Sequence, residues 1–256
     1  MILTINIENT STVVGCNDGS RFLFVEQLST STSRTELEYA ISFKNIIELY
    51  ALETSEITGA AISSVVPLVT NAVRGAIKRI FQLEPVVIGP GVKTGLNIMV
   101  DHPSQVGSDL VANAVAGIAK YEAPMLIVNM GTATTISVIN EKKQYVGGMI
   151  IPGMKVSLES LSRETAQLPQ IGMDLPKKLI GTNTIDCMKS GVIYGSAACI
   201  DGMIKRIEEH MGQPIATVVA TGQYIKHILP YCERKMCLDE TLLLDGLRYI
   251  YEKNQR

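Results

Sequence analysis

Two polar turns carry the side chains best suited to chemistry. The first is Asn6-Ile7-Glu8-Asn9-Thr10-Ser11-Thr12-Val13, and the second is Asn129-Met130-Gly131-Thr132-Ala133-Thr134-Thr135. A turn rich in Gly, Ser, Thr and Asn presents backbone N–H groups and short hydroxyls, which can cradle a phosphate without a fixed cation. The same residue types can also do no more than satisfy their own backbone. Two such turns facing one another would hold a nucleotide polyphosphate. The Walker pattern G-x-x-x-x-G-K-[ST] is absent, which excludes a P-loop NTPase. A third candidate is Asp109, in Gln105-Val106-Gly107-Ser108-Asp109, where a helix begins. A carboxylate there either caps backbone N–H groups at the positive helix end or serves as a general base toward an alcohol.

The elements that must position these groups follow from periodicity. Residues 2–7 alternate toward a strand, 13–16 resume it after the first turn, and Asn17-Asp18-Gly19 turns the chain into a third strand at 21–25. Helical spacing predicts helices over 36–49, 67–81 and 107–121, with short buried strands at 59–63 and 86–88. Pro67 suits the first turn of its helix. The loop Gly89-Pro90-Gly91-Val92-Lys93-Thr94-Gly95 has the wrong spacing for a dinucleotide fingerprint. Strands at 126–129, 136–139 and 144–151 surround the second turn. Helices near 154–166 and 184–211, a strand at 215–220, and helices near 223–229 and 241–252 complete the chain. Thr184 reads as the N-cap of the long helix, which carries Gly191, Gly195 and Gly202 and so admits a close helix or dimer contact. The mixture of strands and helices indicates an α/β or α+β protein. Aligned on Asn6 and Asn129, the two strand–turn–strand units echo each other about half a chain apart, as a duplicated unit or as two unrelated hairpins.

Composition narrows the function classes. The 256 residues hold 23 basic and 25 acidic side chains, for a net charge of −2, and no basic run. With aromatics at 5% and no Trp, neither a phosphate-tracking surface nor a base-stacking platform for nucleic acid is expected. The five cysteines form no C-x-x-C pair and read as reduced cytosolic thiols. Three scattered histidines show no zinc-type cluster. No run of about 18 apolar residues predicts a membrane span, and the apolar N-terminal stretch is too short for a signal peptide. A soluble, cytoplasmic protein is expected.

In combination and order, several motifs give this chain a closer likeness. They are Ile62-Ser63-Ser64-Val65-Val66-Pro67, Gly89 to Gly95 with Leu96, Val106-Gly107-Ser108-Asp109, Gly131-Thr132-Ala133-Thr134-Thr135, Gly147-Gly148 with Pro152-Gly153, Ser190-Gly191 with Tyr194-Gly195, and Ala220-Thr221-Gly222. Across almost its whole length the chain resembles the type III pantothenate kinase family. The resemblance implies a two-lobed actin-like ATPase (ribonuclease H-like) fold, with a sheet and flanking helices in each lobe. It places the lobes at residues 1–115 and 116–256, each with one phosphate-binding hairpin. It implies ATP-dependent phosphorylation of pantothenate at its primary hydroxyl, the first step toward coenzyme A, by a homodimer that needs magnesium and a monovalent cation, potassium or ammonium. Carried over by position, Asn6, Ile7, Glu8, Asn9, Thr10, Ser11, Thr12 and Val13, with Thr132, would hold ATP. Val100, Gly107, Ser108, Asp109 and Leu110 would line the pantothenate pocket, with Thr184 reaching in across the dimer. Asp109 would be the base, Asn129 would sit on the monovalent cation, and Asn6 would face magnesium.

The departures from the family pattern fall in this same set. The pattern Asp-x-Gly-Asn-Thr reads Asn6-Ile7-Glu8-Asn9-Thr10, Asp-Phe-Gly-Thr reads Asn129-Met130-Gly131-Thr132, and Gly-Ala-Asp-Arg reads Gly107-Ser108-Asp109-Leu110. Val100 replaces a Tyr, and Gln223 follows Gly222 where a second Gly is usual. Magnesium favours charged oxygens, so Asn6 weakens that site. Glu8 adds a charge beside a polyphosphate; two like charges about 4 Å apart cost on the order of 4 kcal/mol at an effective dielectric near 20. Glu8 either swings away or itself becomes a magnesium ligand. Two readings follow: a working kinase, and a catalytically impaired relative that binds ligand or an active paralogue in a regulatory role.

Overall fold

The computed structural model describes residues 1–255, which form two compact units. The first comprises Met1–Ala119 together with the chain from Thr241 onward, and the second Lys120–Glu240. The last helix therefore belongs with the N-terminal unit, where a simple division at 115/116 had assigned it to the C-terminal one.

In the first unit, β1 (Ile2–Ile7), β2 (Ser11–Asn17) and β3 (Phe22–Ser29) form an antiparallel meander. The chain then crosses through α1 (Glu36–Leu49) to β4 (Gly59–Ser64), parallel to β1, and through α2 (Pro67–Phe81) to β5 (Val86–Val87), parallel to β4. The sheet order is β3-β2-β1-β4-β5. Strand alternation distributes the core over both faces. Leu3, Ile5, Ile7, Ala60 and Ile62 pack with Tyr39, Phe43, Ile47, Val73 and Ile77 of α1 and α2. Ala61, one residue out of phase, joins the opposite cluster. After the two-residue strand β6 (Asn97–Ile98), that cluster is supplied by Val111 and Ala112 of α3 (Ser108–Lys120). The terminal helix adds Leu244, Leu247 and Ile250. Helix starts follow local chemistry: Thr35 and Glu38 close a capping box on α1, and Pro67 occupies the first turn of α2.

The second unit repeats the plan. β7 (Met125–Met130), β8 (Ala133–Ile139) and β9 (Gln144–Pro152) are again an antiparallel meander. Next come α4 (Met154–Glu164) and α5 (Thr184–Met211), then β10 (Thr217–Thr221), parallel to β7. The short α6 (Ile225–Ile228) leads to β11 (Cys237–Leu238), parallel to β10. The order β11-β10-β7-β8-β9 is the first unit's order reversed in listing, with β7 in the place of β1. Leu126, Val128, Met130 and Ile136 pack on Leu158 of α4 and on Ile193, Ala197, Ile200 and Ile204 of α5. The helix α7 (Leu242–Asn254) closes the chain in the first unit. The sequence echo at Asn6 and Asn129 is thus a topological repeat: each is the penultimate residue of the strand that starts its meander.

Candidate functional site

In the first unit the ends of β1 and β4 meet the start of α3. Parallel pairing sets Asn6 beside Ser63 and Ile7 beside Ser64, and the Ser63 and Ser108 hydroxyls lie 2.9 Å apart. The Ser64 N–H donates to Ser108 Oγ at 3.2 Å, which pins the helix start to the strand ends. Outside the carboxyl ends of parallel strands, such a junction is where open α/β sheets bind ligands. Asn6 and Ser63 are buried polar side chains at that end.

Asp109 projects from the first turn of α3 and is half-buried. Its carboxylate draws on the backbone N–H groups of Leu110 and Asp109, yet burial outweighs them and holds its proton affinity above the ordinary aspartate range. A Cβ on Gly107 would crowd Asp109 Oδ1 at 2.5 Å, so the glycine lets the carboxylate fold back over the helix start. Asp109 thus touches helix N–H groups and is a half-buried carboxylate without a cation partner among the described residues.

Within the first hairpin the eight residues divide. Ile7 and Thr12 are buried, and Thr12 Oγ1 sits 2.8 Å from Thr30 Oγ1; Ser11 is buried and Val13 packs on the α3/α7 cluster. These positions have only backbone to offer a ligand. Asn9 and Thr10 are exposed at the tip, and the Glu8 N–H closes the turn on the Ser11 carbonyl at 2.8 Å. Glu8 is half-buried and accepts from Asn6 Nδ2 at 3.1 Å. Burial first, then the charge of Asp109, raises its proton affinity, against the lowering effect of that amide. Val100, Gly107, Ser108 and Leu110 are half-buried in the same unit.

The second unit repeats the arrangement with neutral oxygens. Asn129 pairs with Thr135 on β8 and with Thr221 on β10, so three side chains share one face in one row. Thr135 Oγ1 is buried without a partner, and the buried side chains of Asn129 and Thr221 make no hydrogen bond among the described residues. Gly222, at φ +96°, lets the chain pass beside Asn129: a Cβ there would fall onto Asn129 Oδ1 and the Met130 backbone. Gly153, just before α4, abuts the turn so closely that a Cβ would fall onto the Thr132 carbonyl. The N-terminus of α4 thereby meets the second hairpin. Thr184 is the exposed first residue of α5, and its neighbour Asn183 is the N-cap, accepting from the Asp186 N–H at 2.9 Å. The sequence expectation of Thr184 as the cap is corrected by one residue.

The chain matches the type III pantothenate kinase family over residues 2–206. It belongs to that family. It is 43% identical to the type III pantothenate kinase of Exiguobacterium sp. (strain ATCC BAA-1283 / AT1b) over 256 residues, covering 100% of both chains. To the enzyme of Halalkalibacterium halodurans it is 42% identical over 254 residues, 99% of this chain and 100% of the relative. Among solved structures it is similar to the activator of 2-hydroxyisocaproyl-CoA dehydratase from Clostridium difficile with bound ADPNP (TM-score 0.59, 9% identity, 99% and 96% covered). It is also similar to component A of the (R)-2-hydroxyglutaryl-CoA dehydratase from Acidaminococcus fermentans (TM-score 0.58, 11% identity, 100% and 99% covered). These likenesses establish the actin-like ATPase fold. The membership makes the protein a kinase, a phosphotransferase.

The residues present can be tested against the cations that the family resemblance implies. Among the described residues no group of three or more His, Cys, Asp and Glu side chains could hold a metal alone. Magnesium does not ask for that, since it takes one or two carboxylates and fills its shell with phosphate and water. Asn6 turns its amide nitrogen to Glu8, while Glu8 is a half-buried carboxylate with no ion pair among the described residues. The pair fits a magnesium nucleotide through Glu8. The unpartnered oxygens of the Asn129 row fit a potassium-like ion, which accepts neutral oxygens.

Among these groups Ser63, Thr135 and Thr221 stood in the sequence motifs without a role of their own. Two serines ending an otherwise small and apolar strand signalled Ser63. Thr135 and Thr221 gained a role only from the register that sets them beside Asn129.

Proposed function

We propose that the protein transfers the γ-phosphoryl group of ATP to the primary hydroxyl of pantothenate, yielding 4'-phosphopantothenate and ADP in the first step of coenzyme A synthesis. Beyond family membership, one observation carries this reading: Asp109, half-buried at the junction of β1, β4 and α3, has no cation partner among the described residues and a raised proton affinity. A base for an alcohol works best when its proton affinity approaches the working pH.

The chain's own residues divide the work. Asp109 accepts the hydroxyl proton as the phosphoryl group transfers. Val100, Gly107, Ser108 and Leu110 surround the acceptor, and the Ser63–Ser108–Ser64 bonds hold the helix start that carries the base. The first hairpin, Asn6 to Val13, and Thr132 on the second hold the phosphates through backbone and short polar groups. Asn129, with Thr135 and Thr221, holds the monovalent cation. Magnesium, when bound, neutralises charge on the phosphate oxygens. Phosphoryl transfer passes through a loose transition state, so positioning and charge neutralisation supply most of the catalysis.

A homodimer fits the second unit, where Leu179 (59% exposed), Ile180 (77%) and Ile185 (44%) present apolar surface at and just before the start of α5. In that dimer Thr184 would serve the partner's pocket. All five cysteines are free, and among the described residues no helix is long and apolar enough to cross a membrane. The free thiols fit a reducing, cytoplasmic location. The test is a coupled ADP-release assay with pantothenate, magnesium and potassium. Turnover dependent on all three is expected, and a folded, pure protein without turnover would refute the reading.

A further inference from the structure

Glu8 is a half-buried carboxylate in the first unit with one side-chain hydrogen bond among the described residues. It stands just past the end of β1, two residues beyond Asn6, at the mouth of the hairpin. One carboxylate oxygen is fixed by the Asn6 amide at 3.1 Å; the other has no hydrogen bond among the described residues. Neither Glu8 nor Asp109 forms an ion pair there, although both are half-buried and the charge of one reaches the other. Two such carboxylates, with no lysine or arginine between them, leave a site short of positive charge. The amide contact also settles which atom of Asn6 faces the carboxylate, because only its nitrogen can donate.

Resting on the kinase reading, we propose that Glu8 is the carboxylate that binds the divalent cation carried by the nucleotide, and that Asn6 is a positioning residue that aims it. The free Glu8 oxygen supplies a hard, charged ligand, and phosphate and water complete the shell. Asn6 holds the carboxylate at the turn, as hydrogen-bonded neighbours orient metal ligands elsewhere. Asp109 is then left free to take the acceptor's proton.

Manganese with a non-hydrolysable β,γ-imido ATP analogue is the probe, and paramagnetic resonance of free Mn²⁺ gives the affinity of the full-length protein. The metal-free analogue, titrated by calorimetry, gives the nucleotide's own affinity. Glu8→Gln is expected to weaken the manganese complex by at least about tenfold, with metal-free binding unchanged or tighter. Asn6→Ala keeps the charge but releases it, and is expected to cost about tenfold in manganese affinity. Asn6→Asp added to Glu8→Gln should recover manganese binding, because a carboxylate returns to the point where the two side chains meet. Undiminished manganese affinity in Glu8→Gln, or in Asn6→Ala should the first variant not fold, overturns the assignment. So does an equal loss with and without metal. Should wild type turn over pantothenate while Glu8→Gln keeps its manganese affinity, only the role of Glu8 falls. A wild type that binds neither form of the nucleotide overturns the kinase reading with it.

Discussion

Asp109 sits where helix N–H groups and burial pull its proton affinity in opposite directions, and burial wins. The sign of the consequence follows. A carboxylate raised in the folded state contributes most below its unfolded value, about 3.9, and that contribution is lost as pH rises through the folded value. At pH 7 the ionised group is therefore a burden on the fold. Asp109→Asn should raise the melting temperature at neutral pH, with the gap closing as pH falls toward the unfolded value; calorimetry across pH checks this. The same variant should lower kcat by about 10²–10⁴, the usual worth of a general base. In wild type the acid limb of kcat/KM should lie above that of an ordinary aspartate. A second residue-scale outcome concerns Asn6 and Asn129. If missing carboxylates limit the rate, Asn6→Asp with Asn129→Asp gains activity in the ADP-release assay; an unchanged rate would assign the limit to Val100, Leu110 or Glu8. At this scale the candidate residues were readable because each turn interrupts β-branched runs with short polar side chains. The partners of Asn129 were not readable, because Thr135 lies across a turn and Thr221 on a strand almost a hundred residues away.

Elements decide how closely backbone approaches backbone. Gly153 and Gly222 are places in the second unit where a side chain would fall on the turn of the hairpin or the end of β7 beside it. Gly222→Ala adds a strained positive φ, worth about 1–3 kcal/mol, to a clash with Asn129. It should lower stability by at least that much in urea and blunt activation by potassium. Gly153→Ala must push α4 away from the Thr132 carbonyl, so the KM for ATP should rise more than that for pantothenate. Most element bounds were legible: α2 runs over 67–81 and α5 over 184–211 as the spacing predicts. Local signals set them, with Pro67 at one helix start and Gly212, at φ +66°, just past the end of the other. Less local ends slipped. β8 begins at Ala133 rather than Ile136, because pairing with β7 and β9 extends the ladder into the Thr-rich turn.

At the scale of the molecule, α7 is the element that composition could not place. Its Leu244, Leu247 and Ile250 complete the cluster under β4 and α3, and Gly246 lets α7 come within contact of the Ala112 backbone. Burial of each such side chain is worth about 1.5–3 kcal/mol against a typical total of about 5–15. Ending the chain at Glu240 should therefore abolish cooperative unfolding of the first unit, seen as loss of its calorimetric transition. Native mass measurement should give twice the chain mass. Ile180→Asp with Ile185→Asp should give a monomer, and turnover should fall with it if Thr184 acts across the interface.

The sequence by itself determined the two hairpins, the helix that presents Asp109, and the family, because each is written in contiguous residues: alternation, a cap, a short ordered motif. Tertiary structure decided what those residues meet. Asn6 faces Glu8, Ser63 ties β4 to α3, Thr135 and Thr221 flank Asn129, and the last helix returns to the first unit. These depend on register and packing between segments far apart in the chain, and no local pattern records them.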